Sequence, residues 1–425
     1  MQKFGQQGIA LVEILFLTSI LLAIAAFTAR STRVEIGIAR NDYLQKQALQ
    51  VAEAGLDHVW RKIEAQLTAG VTLDAAMADP TGFLGTGSDQ SLNGISYRFV
   101  PFGGGSGNGY YVRLDSGSDD PGPNRTSLVI TSIGSVPGSL ASAQREVRAF
   151  LQQSHAFDHG LFAKYNMTIN GTGSDRVATD SYNSSLGAYQ SPGGYNGSVG
   201  ANGNISNTGQ PEVHGSATAG GTVDLTPDAT GGETGGAPQL ALPPVTPCNT
   251  TMGYTASNDP GVQAPGNDFR SNSISANSHD NVILSAGTYC FNSVTLSGQS
   301  TITVTGAVKI YLTGASDFTG GGVINNVGSP PLPANLQIYS SCSAAAGCGT
   351  GNNGGLKLTG GTNAYFSVYA PDTNIKFNSN TGNIYGAIIG GNIDLGGGAN
   401  FHYDEALNGT GPLTTALVSW HEVRH

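Results

Sequence analysis

The sequence predicts an α+β unit followed by an all-β one. A long N-terminal helix carries a small antiparallel sheet, and a large Gly/Asn-rich β domain follows, read here as a parallel β-helix. Three observations carry this. Residues 9–27 form an apolar run of 19 residues, and apolar positions then recur every three or four residues to Leu67. Four runs of alternating character lie between residues 94 and 151. Beyond residue 154, short β-branched runs cut by Gly and Asn recur almost to the end of the chain.

At 425 residues the chain exceeds one average domain. Gly is high at 62 residues and charged residues are low at 11%, because Ser, Thr, Asn and Gly take the place of Lys and Glu. Such a composition suits extracellular β architecture with many tight turns. A net charge of −10 argues against nucleic acid as a partner. All four cysteines lie beyond residue 240, which fits export to an oxidising compartment.

The helix comes first. Its apolar run would cover about 28 Å, close to the hydrocarbon thickness of a bilayer. No proline occurs between Ile9 and Leu67, and Gly37 and Gly55 are the only glycines there. The pattern continues through Ile36, Leu44, Ala48, Ala52, Leu56, Val59, Ile63 and Leu67, so one helix is expected, apolar all round and then amphipathic. Glu13 interrupts the run at its fifth residue, where a lone carboxylate costs about 2.5 kcal/mol or more in lipid. It needs a partner.

A short leader with Lys3, then Gly8, then an apolar helix with Glu13 as its fifth residue resembles a type IV prepilin. The resemblance implies cleavage after Gly8 by a membrane peptidase and N-methylation of Ile9. Residues 50–56, Gln-Val-Ala-Glu-Ala-Gly-Leu, are similar to a segment of PilX-like minor pilins, as are residues 131–136 followed by Arg145-Glu146-Val147. The proline that often breaks the membrane helix of major pilins is absent. On physical grounds, a staggered parallel helix would bring its Ile9 amine to Glu13, replacing two buried charges by one compensated pair and fixing the register between subunits.

The expected organisation is a leader at 1–8, the membrane and filament-core helix at 9–70, an antiparallel β head at 71–153 and a β-solenoid at 154–425. The head strands are expected at residues 94–100, 110–114, 126–133 and 145–151, as a four-stranded meander on Leu56, Val59, Trp60 and Ile63. Asp115, Asp119 and Asp120 are candidate Ca²⁺ ligands, because that ion takes several oxygens from a flexible loop. A solvated acidic turn is the plainer reading, and no cofactor is expected.

In the third unit, residues 231–247 read as an extended linker. Residues 369–371, 386–389 and 402–407 resemble the C-terminal β domain of PilX-like pilus assembly proteins. Cys342 and Cys348 are close enough for a local disulfide, which leaves Cys248 to Cys290; four cysteines allow three pairings, so proximity alone favours this one. His402, Asp404 and Glu405 invite a catalytic reading, against which they cap the last coil. Tyr182, Tyr189 and Tyr195 are candidates for stacking on sugars or for packing turns.

The functional expectation is a non-enzymatic minor pilin-like subunit with a priming, tip or adhesive role. Its partners would be other pilins, the prepilin peptidase, the inner-membrane assembly platform and surface glycans. It would sit in the inner membrane as a precursor and in a surface filament when assembled. The alternatives are a type II secretion pseudopilin and a membrane-anchored carbohydrate-binding or carbohydrate-active β-helix.

Overall fold

The computed structural model describes residues 4–68, 87–101, 109–116, 127–136, 143–170, 177–248, 262–263, 269–270, 272–318, 328, 331–343, 348, 355–358, 363–378, 382–396, 398 and 400–423. One helix, α1 (Phe4–Thr68), runs for 65 residues, or about 100 Å at 1.5 Å per residue. It already begins inside the expected leader. From Leu11 to Tyr43 every residue is exposed. Then Ala48, Ala52, Gly55, Val59 and Ile63 are buried, a stripe at steps of three and four that faces a sheet.

That sheet holds β1 (Ser88–Leu92), β2 (Ile95–Pro101), β3 (Gly109–Ser116), β4 (Ser127–Val136) and β5 (Ala143–His155) in chain order, each antiparallel to the next. Val59 and Ile63 meet Val112, Leu114, Leu128, Ile130, Ala149 and Leu151 in one core, with Leu56 and Trp60 partly buried beside it. Small residues let helix and sheet close up. A Cβ on Gly134 would stand 1.9 Å from the Ala48 carbonyl oxygen, and one on Gly55 would stand 2.3 Å from Ser132 Oγ.

The head is larger than the expected four-stranded meander. Among the described residues the sheet has seven strands, because β1 precedes the meander and the C-terminal strand Leu413–Val423 pairs with β5, followed by Leu240–Ala241. Residues 413–423 therefore leave the expected 154–425 unit and complete the head. The strand runs antiparallel to β5 from Leu413 opposite His155 to Val423 opposite Glu146, with a β-bulge between Leu417 and Ser419.

The rest of the chain forms two large, mostly parallel sheets, and neither closes into a barrel among the described residues. A 10-stranded sheet runs, in spatial order, Val223–Asp224, Ile205–Thr208, Met167–Asn170, Ile393–Gly396, Ile375–Asn378, Leu356–Leu358, Ser316–Phe318, Ser293–Leu296, Ser273–Ala276 and Phe269–Arg270. The 12-stranded sheet follows the same progression, from Glu233–Thr234 through Leu161–Ala163 and Asn383–Gly390 to Gly287–Phe291. Burial alternates along the short strands, as in Leu356–Leu358 of the first sheet and Val308–Leu312 of the second, so the period-two pattern fills a core from both sheets. A further sheet joins Val262–Gln263, Asn281–Leu284 and Thr301–Val304.

The chain enters this stack in its middle. Met167–Asn170, the first strand of the ten in sequence, lies between Ile205–Thr208 and Ile393–Gly396, the last. The early strands grow away from that point, and the later ones return to it from the far end. Asparagines mark the seam: Asn374 Oδ1 accepts from Asn392 N (3.2 Å), Asn392 Oδ1 from Asn166 N (3.1 Å), and Asn166 Oδ1 from Asn204 N (2.9 Å). These side chains satisfy the backbone amides just before the strands, a physical reason for the Asn content.

The expected linker at 231–247 is structured. It contains Glu233–Thr234 and Leu240–Ala241, and Leu240 and Leu242 are buried against the stack. Cys248, which precedes the returning strands, joins Cys290 in them, and Cys342 joins Cys348 within them.

Candidate functional site

The N-terminal half of α1 is long and apolar enough to cross a membrane, with a mean hydropathy of 2.3 over its best window and none of that window buried. Leu11, Phe16, Leu22 and Phe27 are 62%, 68%, 76% and 74% exposed, so the fold itself does not cover them. The polar residues in this stretch turn inward on the backbone. Thr18 Oγ1 and Ser19 Oγ donate to the Leu15 carbonyl (3.0 and 2.7 Å), and Thr28 Oγ1 donates to that of Ile24 (3.0 Å). Such bonds lower the cost of a hydroxyl in an apolar medium.

Glu13 stands alone in this surface. It is exposed and has no hydrogen bond or ion pair among the described residues. Gly8 and Ile9 are helical, and four residues of helix, about 6 Å of rise, separate Ile9 from Glu13.

The other predicted positions fall elsewhere. Asp115 pairs with Arg113 Nε at 2.8 Å on β3, while Asp119 and Asp120 lie outside the described residues. No group of His, Cys, Asp and Glu able to hold a metal occurs among the described residues.

His402 lies in the strand Asn400–Asp404, opposite Asp180 in Ala178–Tyr182. Its Nδ1 meets Asp180 Oδ1, and its Nε2 is 3.3 Å from Asn383 Oδ1. Tyr189 donates to the other Asp180 oxygen at 2.6 Å. Tyr365, Tyr385 and His402 stack in register across three neighbouring strands, with centroids 4.6 and 4.7 Å apart. Burial, with the nearby Tyr365 and Asp180, pushes the Tyr385 phenol up to about 12.

Asp404 is fully buried and accepts from Ser184 N (2.9 Å), Ser184 Oγ (2.7 Å) and Ala406 N (3.1 Å), capping a short 3₁₀ turn. Glu405 Oε1 accepts from Asn196 Nδ2 at 2.9 Å. His402 thus ties two neighbouring strands, Asp404 and Glu405 hold the strand end and turn to the loop at Ser184 and Asn196, and the Asp404 carboxylate is committed to these bonds. Of the tyrosines, Tyr182 and Tyr189 pack edge to face at 5.9 Å, while Tyr195 is 70% exposed and stacks on His214. Sequence reasoning missed Asp180, which carries no local signal and meets His402 from 222 residues away.

A family model described as a domain of unknown function, DUF7305, matches residues 292–410. The match covers the returning strands from Ser293–Leu296 onward and stops before the C-terminal strand. No curated protein and no solved structure matches the chain.

Proposed function

We propose that the chain is a minor type IV pilin-like subunit, cut after Gly8 and carried by α1 from the membrane into a filament. The observation that carries this reading is the uncovered apolar half of α1, with Glu13 exposed in it and without a partner among the described residues. In lipid the apolar surface is satisfied by acyl chains, and in a filament by neighbouring helices. The Ile9 amine of an adjacent subunit would neutralise Glu13. Two disulfides favour an oxidising location for everything beyond the helix.

The parallel sheets are read as turns of a β-solenoid, the strands of the two large sheets alternating as its faces and the Asn ladder as one corner. So bulky a load suits a specialised subunit in priming, tip assembly or adhesion more than the repeating one. The role is structural, since the carboxylates nearest to a catalytic pattern serve the fold. Replacing Gly8 by Leu tests the reading. The variant should accumulate uncut in the membrane; mature-sized protein from Gly8→Leu cells would overturn it.

A further inference from the structure

Among the described residues the head sheet has two open edges, and its strand count makes them complementary. From β1 to the C-terminal strand the order is β1, β2, β3, β4, β5, then Leu413–Val423, with every neighbouring pair antiparallel. Six alternating strands make the two outer ones run in opposite directions. A copy translated sideways without rotation would therefore present its β1 antiparallel to the C-terminal strand of the first copy. The sheet would continue and the two α1 helices would stay parallel, as two helices anchored in one membrane must. A two-fold pairing of one edge with itself would turn the helices antiparallel.

The edges also match in length: past the β-bulge between Leu417 and Ser419, residues 419–423 make a regular stretch of five, and β1 has five. On the outer side of the C-terminal strand, Leu240–Ala241 pairs only with Thr415 and Ala416, so no described strand covers residues 418–423. There Val418 is 45% and Trp420 is 52% exposed. At the far edge, β1 is five residues long, and its Ser88, Asp89, Gln90 and Ser91 are exposed. Neither edge carries the Lys or Pro that commonly blunts an open strand. The uncovered stretch points away from the parallel stack, which joins the ribbon at His155 and Leu413.

We infer that 418–423 is a docking edge for β1 of a second copy, a head-to-tail contact that places copies side by side. Unlike a closed dimer, such a heterologous contact propagates. It rests on the proposed function only in taking neighbouring helices as parallel.

Cysteine cross-linking of the full chain in detergent tests it. The edges of one head lie about 24 Å apart at ~4.8 Å per strand, far beyond disulfide reach, so any bond between them joins two molecules. Ser419→Cys is combined with Ser88→Cys or with Ser91→Cys, which brackets the register. On mild oxidation at least one combination should give a ladder of dimers, trimers and larger species, absent from each single variant. Adding Trp420→Lys should reduce the ladder tenfold or more. No ladder from either combination, bands that stop at the dimer, or a ladder unchanged by Trp420→Lys would overturn the inference. The outcome does not depend on cleavage at Gly8, so its failure is separable from failure of the pilin-like reading.

Discussion

Ser154 Oγ and Thr414 Oγ1 lie 2.9 Å apart although 260 residues separate them. The strands that carry them are the way into the parallel stack and the way out. The head is therefore interrupted rather than followed by its load, and one strand serves both cores: Ala416 packs on the stack and Leu417 on the head.

Deleting residues 413–423 should accordingly damage the head as well as the tip of the chain. It uncovers the β5 edge along its length and removes the Leu417 contact. The cost should be about 3 kcal/mol or more, the range of severe core lesions. Limited proteolysis that cuts within β4 or β5 only in the truncated chain is the expected result; a head as resistant as the intact one would contradict it.

A Cβ on Gly134 would meet the helix backbone at Ala48 and Ala52. Gly134→Val should force the Ala48 turn away from β4, for about 1–3 kcal/mol as overpacking goes. A lowered denaturant midpoint checks this, with Ser135→Val, one residue along the same strand, as the comparison.

The two disulfides should differ in value. Cys248–Cys290 spans 42 residues and Cys342–Cys348 spans 6. Loop-closure entropy then gives about 4 kcal/mol for the first and about 2 kcal/mol for the second. Paired Cys→Ser variants, compared by chemical unfolding, should show the larger loss for the first pair.

Alkali should weaken the fold. Burial pushes the phenols of Tyr339 and Tyr385 up to about 12 and raises those of Tyr182, Tyr369 and Tyr403. Unfolded tyrosines ionise near pH 10. Above that pH the unfolded chain releases protons that the folded one keeps, so stability is full below about pH 10 and falls as pH rises toward the folded values. The melting midpoint should be level from pH 8 to about 9.5 and should drop beyond 10. A midpoint unchanged to pH 12 would contradict this.

Much of this was legible in the residues. A proline-free run from Ile9 with steps of three and four specified α1, and alternation specified β2 to β5, because both signals are local. Short strands with Gly and Asn corners pointed to parallel pairing for the same reason. The C-terminal strand in the head sheet was not legible: Thr414, Thr415, Val418, Trp420 and Val423 give residues 413–423 strand propensity but do not say which edge they join. Asp180 opposite His402, and the stack entered at its middle, are long-range pairings of that kind. The segment 231–247 misled because Gly, Pro and Thr look like a linker, whereas Leu240 and Leu242 find the stack. The lone Glu13 was read from spacing, and the structure leaves it exposed and without a described partner.

The most direct test of the filament reading is the N-terminal residue of the protein recovered from sheared surface filaments, read by mass spectrometry. The account predicts a chain that begins at N-methylated Ile9. A chain that keeps Met1, begins beyond Phe27 or is absent from the filaments would contradict it.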